Sequence, residues 1–105
     1  MTTYRVILTD TGKQDLRDIA AYIARQAQDR EIGKRFAIEL RERCKRLNSF
    51  PQIGALPKDH VLRALGYRFV PYREYLIFYE INEDAKTVSV FAIFNSQKDY
   101  WRMLR

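Results

Sequence analysis

The feature that most constrains this chain is a change of rhythm at its middle. From Leu16 to Leu47 the apolar residues recur at helical spacing, and from Leu62 onward they recur at strand spacing. Leu16, Ile19, Ala20 and Ile23 fall at i, i+3, i+4 and i+7, one apolar helix face with Lys13, Arg17 and Asp18 turned to water. Thr9-Asp10-Thr11 offers a side-chain oxygen to cap the first turn. After a break at Ala27 to Arg30, a second helix buries Phe36, Leu40, Cys44 and Leu47, with Ala37 beside them. At about 100° per residue, Ile38 then lies on the far side among Lys34, Arg41 and Lys45. Two helices in close succession read as an antiparallel hairpin.

Strands flank this pair. Tyr4 to Leu8 is short and rich in β-branched and aromatic residues, as a first strand would be. The segment Phe50-Pro51-Gln52-Ile53-Gly54-Ala55-Leu56-Pro57 carries two prolines and a glycine, so it is expected as an irregular surface loop held by apolar anchors. Three strands are expected after it: Arg63 to Val70, Tyr75 to Ile81, and Thr87 to Phe94, with Asn82 to Lys86 as a polar turn. The last two are apolar on both faces, as central strands are. Gln97 to Arg105 is expected to close with a short helical tail. The order β-αα-βββ is an α+β fold, a two-helix hairpin packed on a small, mainly antiparallel sheet.

With 105 residues the chain is expected to form a single domain, and its 47% apolar content is enough for a core. One cysteine, Cys44, excludes an internal disulfide, and one histidine, His60, leaves no histidine cluster for a metal. No cofactor or metal is expected. Nor is a signal peptide or a membrane-spanning stretch, and the expected location is the cytoplasm. Nineteen basic against thirteen acidic residues give +6, which favours an anionic partner. Cys44 sits on the apolar stripe of its helix and reads as a core residue. His60 reads as a surface residue in a polar loop ahead of the sheet.

The chain resembles the RelE/ParE superfamily of toxins from type II toxin–antitoxin systems over nearly its whole length. The likeness runs through Tyr22-Ile23-Ala24, through Leu47, Phe50, Pro51 and Gly54, and through Leu62, Arg63, Gly66, Tyr67 and Arg68. It continues through Tyr75 to Tyr79 and Lys98 to Tyr100. The resemblance implies a growth-inhibiting toxin of the kind that stabilises plasmids, silenced by an acidic antitoxin encoded beside it. Operator DNA would then be bound through the antitoxin.

Two activities share this family's fold, and fold does not choose between them. The RelE-like branch cuts messenger RNA on the ribosome. That chemistry needs a group to take the 2′-hydroxyl proton, a group to protonate the leaving oxygen, and cations for the developing charge. If this chain is such an enzyme, the resemblance assigns the work to Arg63, Arg68, Arg73, Lys98, Asp99 and Tyr100, with Glu74 a further carboxylate nearby. Where the family often has a proton-transferring residue, however, Asn95 cannot move a proton. Lys98 stands in place of the usual arginine and lacks its bidentate grip on phosphate. No acid–base pair stands out. The expected activity is therefore that of the ParE-like branch, inhibition of DNA gyrase by docking, through Lys34, Ile38, Arg41, Lys45, Trp101 and Arg102. A toxin that has lost its activity and keeps only its antitoxin is a third reading.

Overall fold

A threonine hydroxyl starts the first helix. Thr9 Oγ1 accepts the Gly12 N–H at 3.1 Å, and α1 then runs over Asp10–Ala27. Asp29 opens α2 (Arg30–Lys45) in the same way, accepting the Glu31 N–H at 2.9 Å. Between them Gln28 takes a left-handed conformation, φ 55°, and its N–H and that of Asp29 close the last turn of α1. The helices then pack closely at Gly33, where a Cβ would stand 2.6 Å from the Ala20 carbonyl oxygen and 2.9 Å from the Ala24 Cβ.

In this computed structural model, residues 3–98 and 103–104 are described. The strands are β1 (Arg5–Leu8), β2 (Arg68–Tyr72), β3 (Tyr75–Asn82) and β4 (Thr87–Asn95). They form one sheet in the order β1-β4-β3-β2. β1 lies parallel to β4, and the other two pairings are antiparallel. The two strands that are apolar on both faces are the central ones. α1 and α2 cover one face, where Leu16, Phe36, Leu40, Cys44 and Leu47 meet Val70, Ile77, Tyr79, Val88, Val90 and Ile93. On the other face Phe69, Phe78, Phe91 and Phe94 pack as a run of rings, with Tyr67 against Phe91 at 4.5 Å. The α+β hairpin-on-sheet architecture is as the sequence predicts. No helix among the described residues is long and apolar enough to cross a membrane.

The structure corrects three local expectations. Arg63 to Val70 is not one strand: His60–Ala64 forms a short helix, α3, and β2 begins at Arg68. Asp59 Oδ1 accepts the N–H groups of Val61 and Leu62, and Gly66, at φ 82°, turns the chain from the helix into the strand. His60 is thus the first residue of α3, though exposed as expected. The proline-rich segment also contains regular structure, because Pro51 opens a single 3₁₀ turn, Pro51–Ile53, just after another at Arg46–Asn48. Its anchors are not the large apolar side chains either. Pro51, Gly54 and Pro57 are buried, whereas Phe50 and Ile53 are each 63% exposed. The tail reading falls mostly outside the described residues, of which Met103 and Leu104 are helical.

Candidate functional site

Helical geometry gathers four of the predicted docking residues. Lys34, Ile38, Arg41 and Lys45 fall within about 60° of arc and span about 16 Å along α2. All four are exposed, and Ile38 is 61% exposed, a large aliphatic side chain standing among cations. Lys34 pairs with Glu31 at 3.5 Å and Lys45 with Glu42 at 3.2 Å. Both pairs lie in water on the helix surface, where such bridges hold a side chain only loosely. Trp101 and Arg102 lie outside the described residues, as do Asp99 and Tyr100 of the catalytic list.

The cations predicted to gather for RNA cleavage are separated and engaged elsewhere. Arg63 Nε donates to the Pro57 carbonyl at 3.1 Å. Arg68 donates to the carbonyls of Gln52 and Gly54 at 3.2 and 2.9 Å, clamping the proline-rich loop onto the sheet. Arg73 sits at the other end of β2, about 16 Å along the strand from Arg68. There it pairs with Glu39 at 3.1 Å, while the Tyr72 hydroxyl donates to the same carboxylate. Glu74 is exposed in the same turn. Asn95 closes a turn, its Oδ1 accepting the Gln97 N–H at 2.9 Å. Cys44 is a buried core residue, and burial pushes its thiol up to about 11.

Lys98 borders a different feature, a groove of about 560 Å³ between α1 and the end of β4. Asp15, Asp18, Tyr22, Tyr75 and Asn95 share its walls. Burial raises the Asp15 carboxyl above its ordinary 3.8. The Ile93 N–H it accepts at 3.0 Å opposes that shift, Asp18 adds to it and Lys98 opposes it. Sequence reasoning missed this meeting of Asp15 with Lys98, because only the packing of the first helix on the last strand brings residues so far apart together. Among the described residues no group of three or more His, Cys, Asp or Glu gathers as a metal site.

A family model described as the ParE toxin of the type II toxin–antitoxin system parDE matches residues 6–100. The chain belongs to the ParE toxin family. The match runs from the second residue of β1 through all of β4, so this ParE-family chain is a toxin of a type II toxin–antitoxin system. Two solved structures share its fold. One is the ParDE toxin–antitoxin system of P. aeruginosa, with a TM-score of 0.72, 15% identity, and coverage of 90% of this chain and 98% of the other. The other is the RelBE2 toxin–antitoxin complex of Mycobacterium tuberculosis, with a TM-score of 0.65, 19% identity, and coverage of 89% and 98%. No curated protein matches the sequence. The two structural neighbours carry RelE-type and ParE-type names on one architecture, so the ParE-family fold leaves the choice of target to the surface chemistry.

Proposed function

We propose that this toxin acts by docking on DNA gyrase and is neutralised by an acidic antitoxin. The observation that carries the target reading is the outer face of α2, where Ile38 protrudes between Lys34, Arg41 and Lys45. A protruding aliphatic anchor inside a cationic ring suits recognition of a partly acidic protein surface. Charge speeds the encounter, and the desolvated anchor holds the complex. The arginines that a nuclease would aim at phosphate instead donate to loop carbonyls or pair with Glu39, which fits a structural use. The antitoxin reading draws on the +6 charge of the chain and on the toxin–antitoxin complexes among its structural neighbours.

Supercoiling by purified gyrase, with and without the toxin, tests the proposal. Wild-type toxin is expected to block supercoiling and to leave ribosome-bound message intact. Ile38→Asp is expected to weaken the block about tenfold or more while preserving the fold, since an exposed side chain contributes little to stability. Cleavage of ribosome-bound message, lost on replacing Lys98 or Arg68, would assign the toxin to the ribonuclease branch.

A further inference from the structure

Half of the large apolar residues that stand exposed among the described residues fall in one stretch: Phe50, Ile53, Leu56, Val61 and Leu65. Two local periods align them. Phe50 and Ile53 stand one 3₁₀ turn apart, with the Ile53 N–H donating to the Phe50 carbonyl at 3.2 Å, so their side chains fall in line. Val61 and Leu65 are four residues and about 40° of arc apart at α3, to one side of the buried Leu62. Leu56 comes between the two pairs in sequence, and Arg63 Nε ties the next carbonyl, that of Pro57, to α3 at 3.1 Å. Ala55 pairs with Phe69, and Gly66 leads α3 into β2, so both pairs border the same strand.

The stretch is fastened by its backbone and its small residues, not by these five side chains. The Tyr79 hydroxyl bonds Pro51 and Gly54, Arg68 grips the carbonyls of Gln52 and Gly54, and Asp59 caps α3. A segment fixed in this way presents its apolar residues without having to order them on contact. Four grooves of 200–560 Å³ mark the described surface, and none is lined by any of the five. The patch projects instead of receiving. Charge is as uneven as hydrophobicity. Residues 46–68 hold four basic residues, Arg46, Lys58, Arg63 and Arg68, against one acidic, Asp59. That is three of the six net charges in less than a quarter of the chain.

Such a surface narrows its occupant. A second copy of the chain would bring like charge against like charge. Nucleic acid would meet one ring and four aliphatic side chains, which offer its bases little to stack on. A partner that is anionic at its boundary, apolar just beneath, and able to yield around a projecting loop matches both halves of the surface. We infer that the segment from Phe50 to Leu65 docks on an anionic phospholipid surface, with its exposed apolar side chains entering the boundary between headgroups and acyl chains. Arg46 and Lys58, both exposed, then meet the headgroup phosphates. The two signals act together: shallow apolar insertion holds weakly by itself, and each Lys or Arg beside an anionic bilayer adds about fivefold to affinity. The attachment is peripheral. It shares no residue with the α2 face of Lys34, Ile38, Arg41 and Lys45, so it stands apart from the gyrase reading.

The test is co-sedimentation of the full-length protein with vesicles of phosphatidylcholine and phosphatidylglycerol in equal parts, against vesicles of phosphatidylcholine alone. Binding to the anionic vesicles is expected to be about twentyfold or more tighter and to weaken as salt is raised. Phe50→Ser with Ile53→Ser should weaken it about tenfold or more while leaving the melting temperature nearly unchanged, because both side chains are already outside the core. Arg46→Gln with Lys58→Gln should cost about twentyfold. An environment-sensitive fluorophore on Ile53→Cys reports which surface enters the bilayer, since the native Cys44 is buried and slow to react. Its emission should shift to the blue on anionic vesicles, and that of the same label on Ile38→Cys should not. The inference is overturned by equal binding to both kinds of vesicle, by binding that ignores the two serine substitutions, or by a blue shift at position 38 instead of 53. It is also overturned if the protein ignores vesicles while the serine substitutions weaken gyrase inhibition, which would give the patch to a protein partner. A protein that binds vesicles yet spares gyrase keeps this inference and loses the target reading.

Discussion

Tyr79→Phe removes one oxygen from the interior of the protein, and its effect follows from two hydrogen bonds. The Tyr79 side chain is fully buried, and its hydroxyl donates to the Pro51 carbonyl while accepting the Gly54 N–H at 2.9 Å. Pro51 and Gly54 are themselves buried, so water does not replace the lost partner without loosening the loop. Each orphaned group costs about 1–3 kcal/mol, and partial relaxation of the loop brings the expected total to about 2–4 kcal/mol. For a domain of this size that lowers the melting temperature by roughly 10–20 °C. Urea unfolding followed by circular dichroism gives the free energy directly. The slope with denaturant should be unchanged, since the surface exposed on unfolding is nearly the same. Tyr72→Phe is the internal control, because its hydroxyl meets the half-exposed Glu39 and the exposed Arg73, which water can satisfy in its place, and it is expected to cost less than about 1 kcal/mol. A loss below about 0.5 kcal/mol for Tyr79→Phe would refute the view that this hydroxyl holds the proline-rich loop in place.

Three further outcomes are expected. Cys44 is buried with a thiol at about 11, so at pH 8 only about one thiol in a thousand is ionised. Alkylation of the native protein should therefore be far slower than that of the urea-unfolded chain, and fast native labelling would contradict the burial. Asp15 titrates above 3.8 in the fold, so the folded state holds its proton more tightly than the unfolded chain. Stability thus falls as pH rises from 3.8 through the raised value and stays lower above it. Asp15→Asn keeps an acceptor for the Ile93 N–H and should raise the melting temperature at pH 7 but not at pH 3, whereas a lower value at pH 7 would contradict the assignment. Gly33→Ala would gain about 1 kcal/mol on a bare helix. Here the added methyl meets Ala20 and Ala24, and thermal melts should show a net loss of about 1–3 kcal/mol.

Those parts of the fold governed by local repetition were legible in the sequence. The Thr9 cap, the stripe from Leu16 to Ile23 and the outward position of Ile38 follow from a 3.6-residue period and one side-chain oxygen. α3 was not legible, because five residues make little more than one helical turn and display no period. What fixes it is the bond from Asp59 to two N–H groups, with Leu62 seated in the interior. The fate of the arginines was hidden for another reason. Arg63 and Arg68 bind carbonyls, which every residue carries, so no side-chain pattern announces the partner. Phe50 and Ile53 misled by composition, since the smaller Pro51, Gly54 and Pro57 fit the interior and the larger residues remain outside.

The placement of β4 also bears on when the protein becomes itself. The strand made last lies second in the sheet, joining the one made first to the β2–β3 ribbon. Until Thr87–Asn95 has been synthesised, β1 has no neighbour and β3 has only one. Such distant pairing is slow to form, so β1 stays an unpaired strand until the β3–β4 hairpin folds back across the whole domain to meet it.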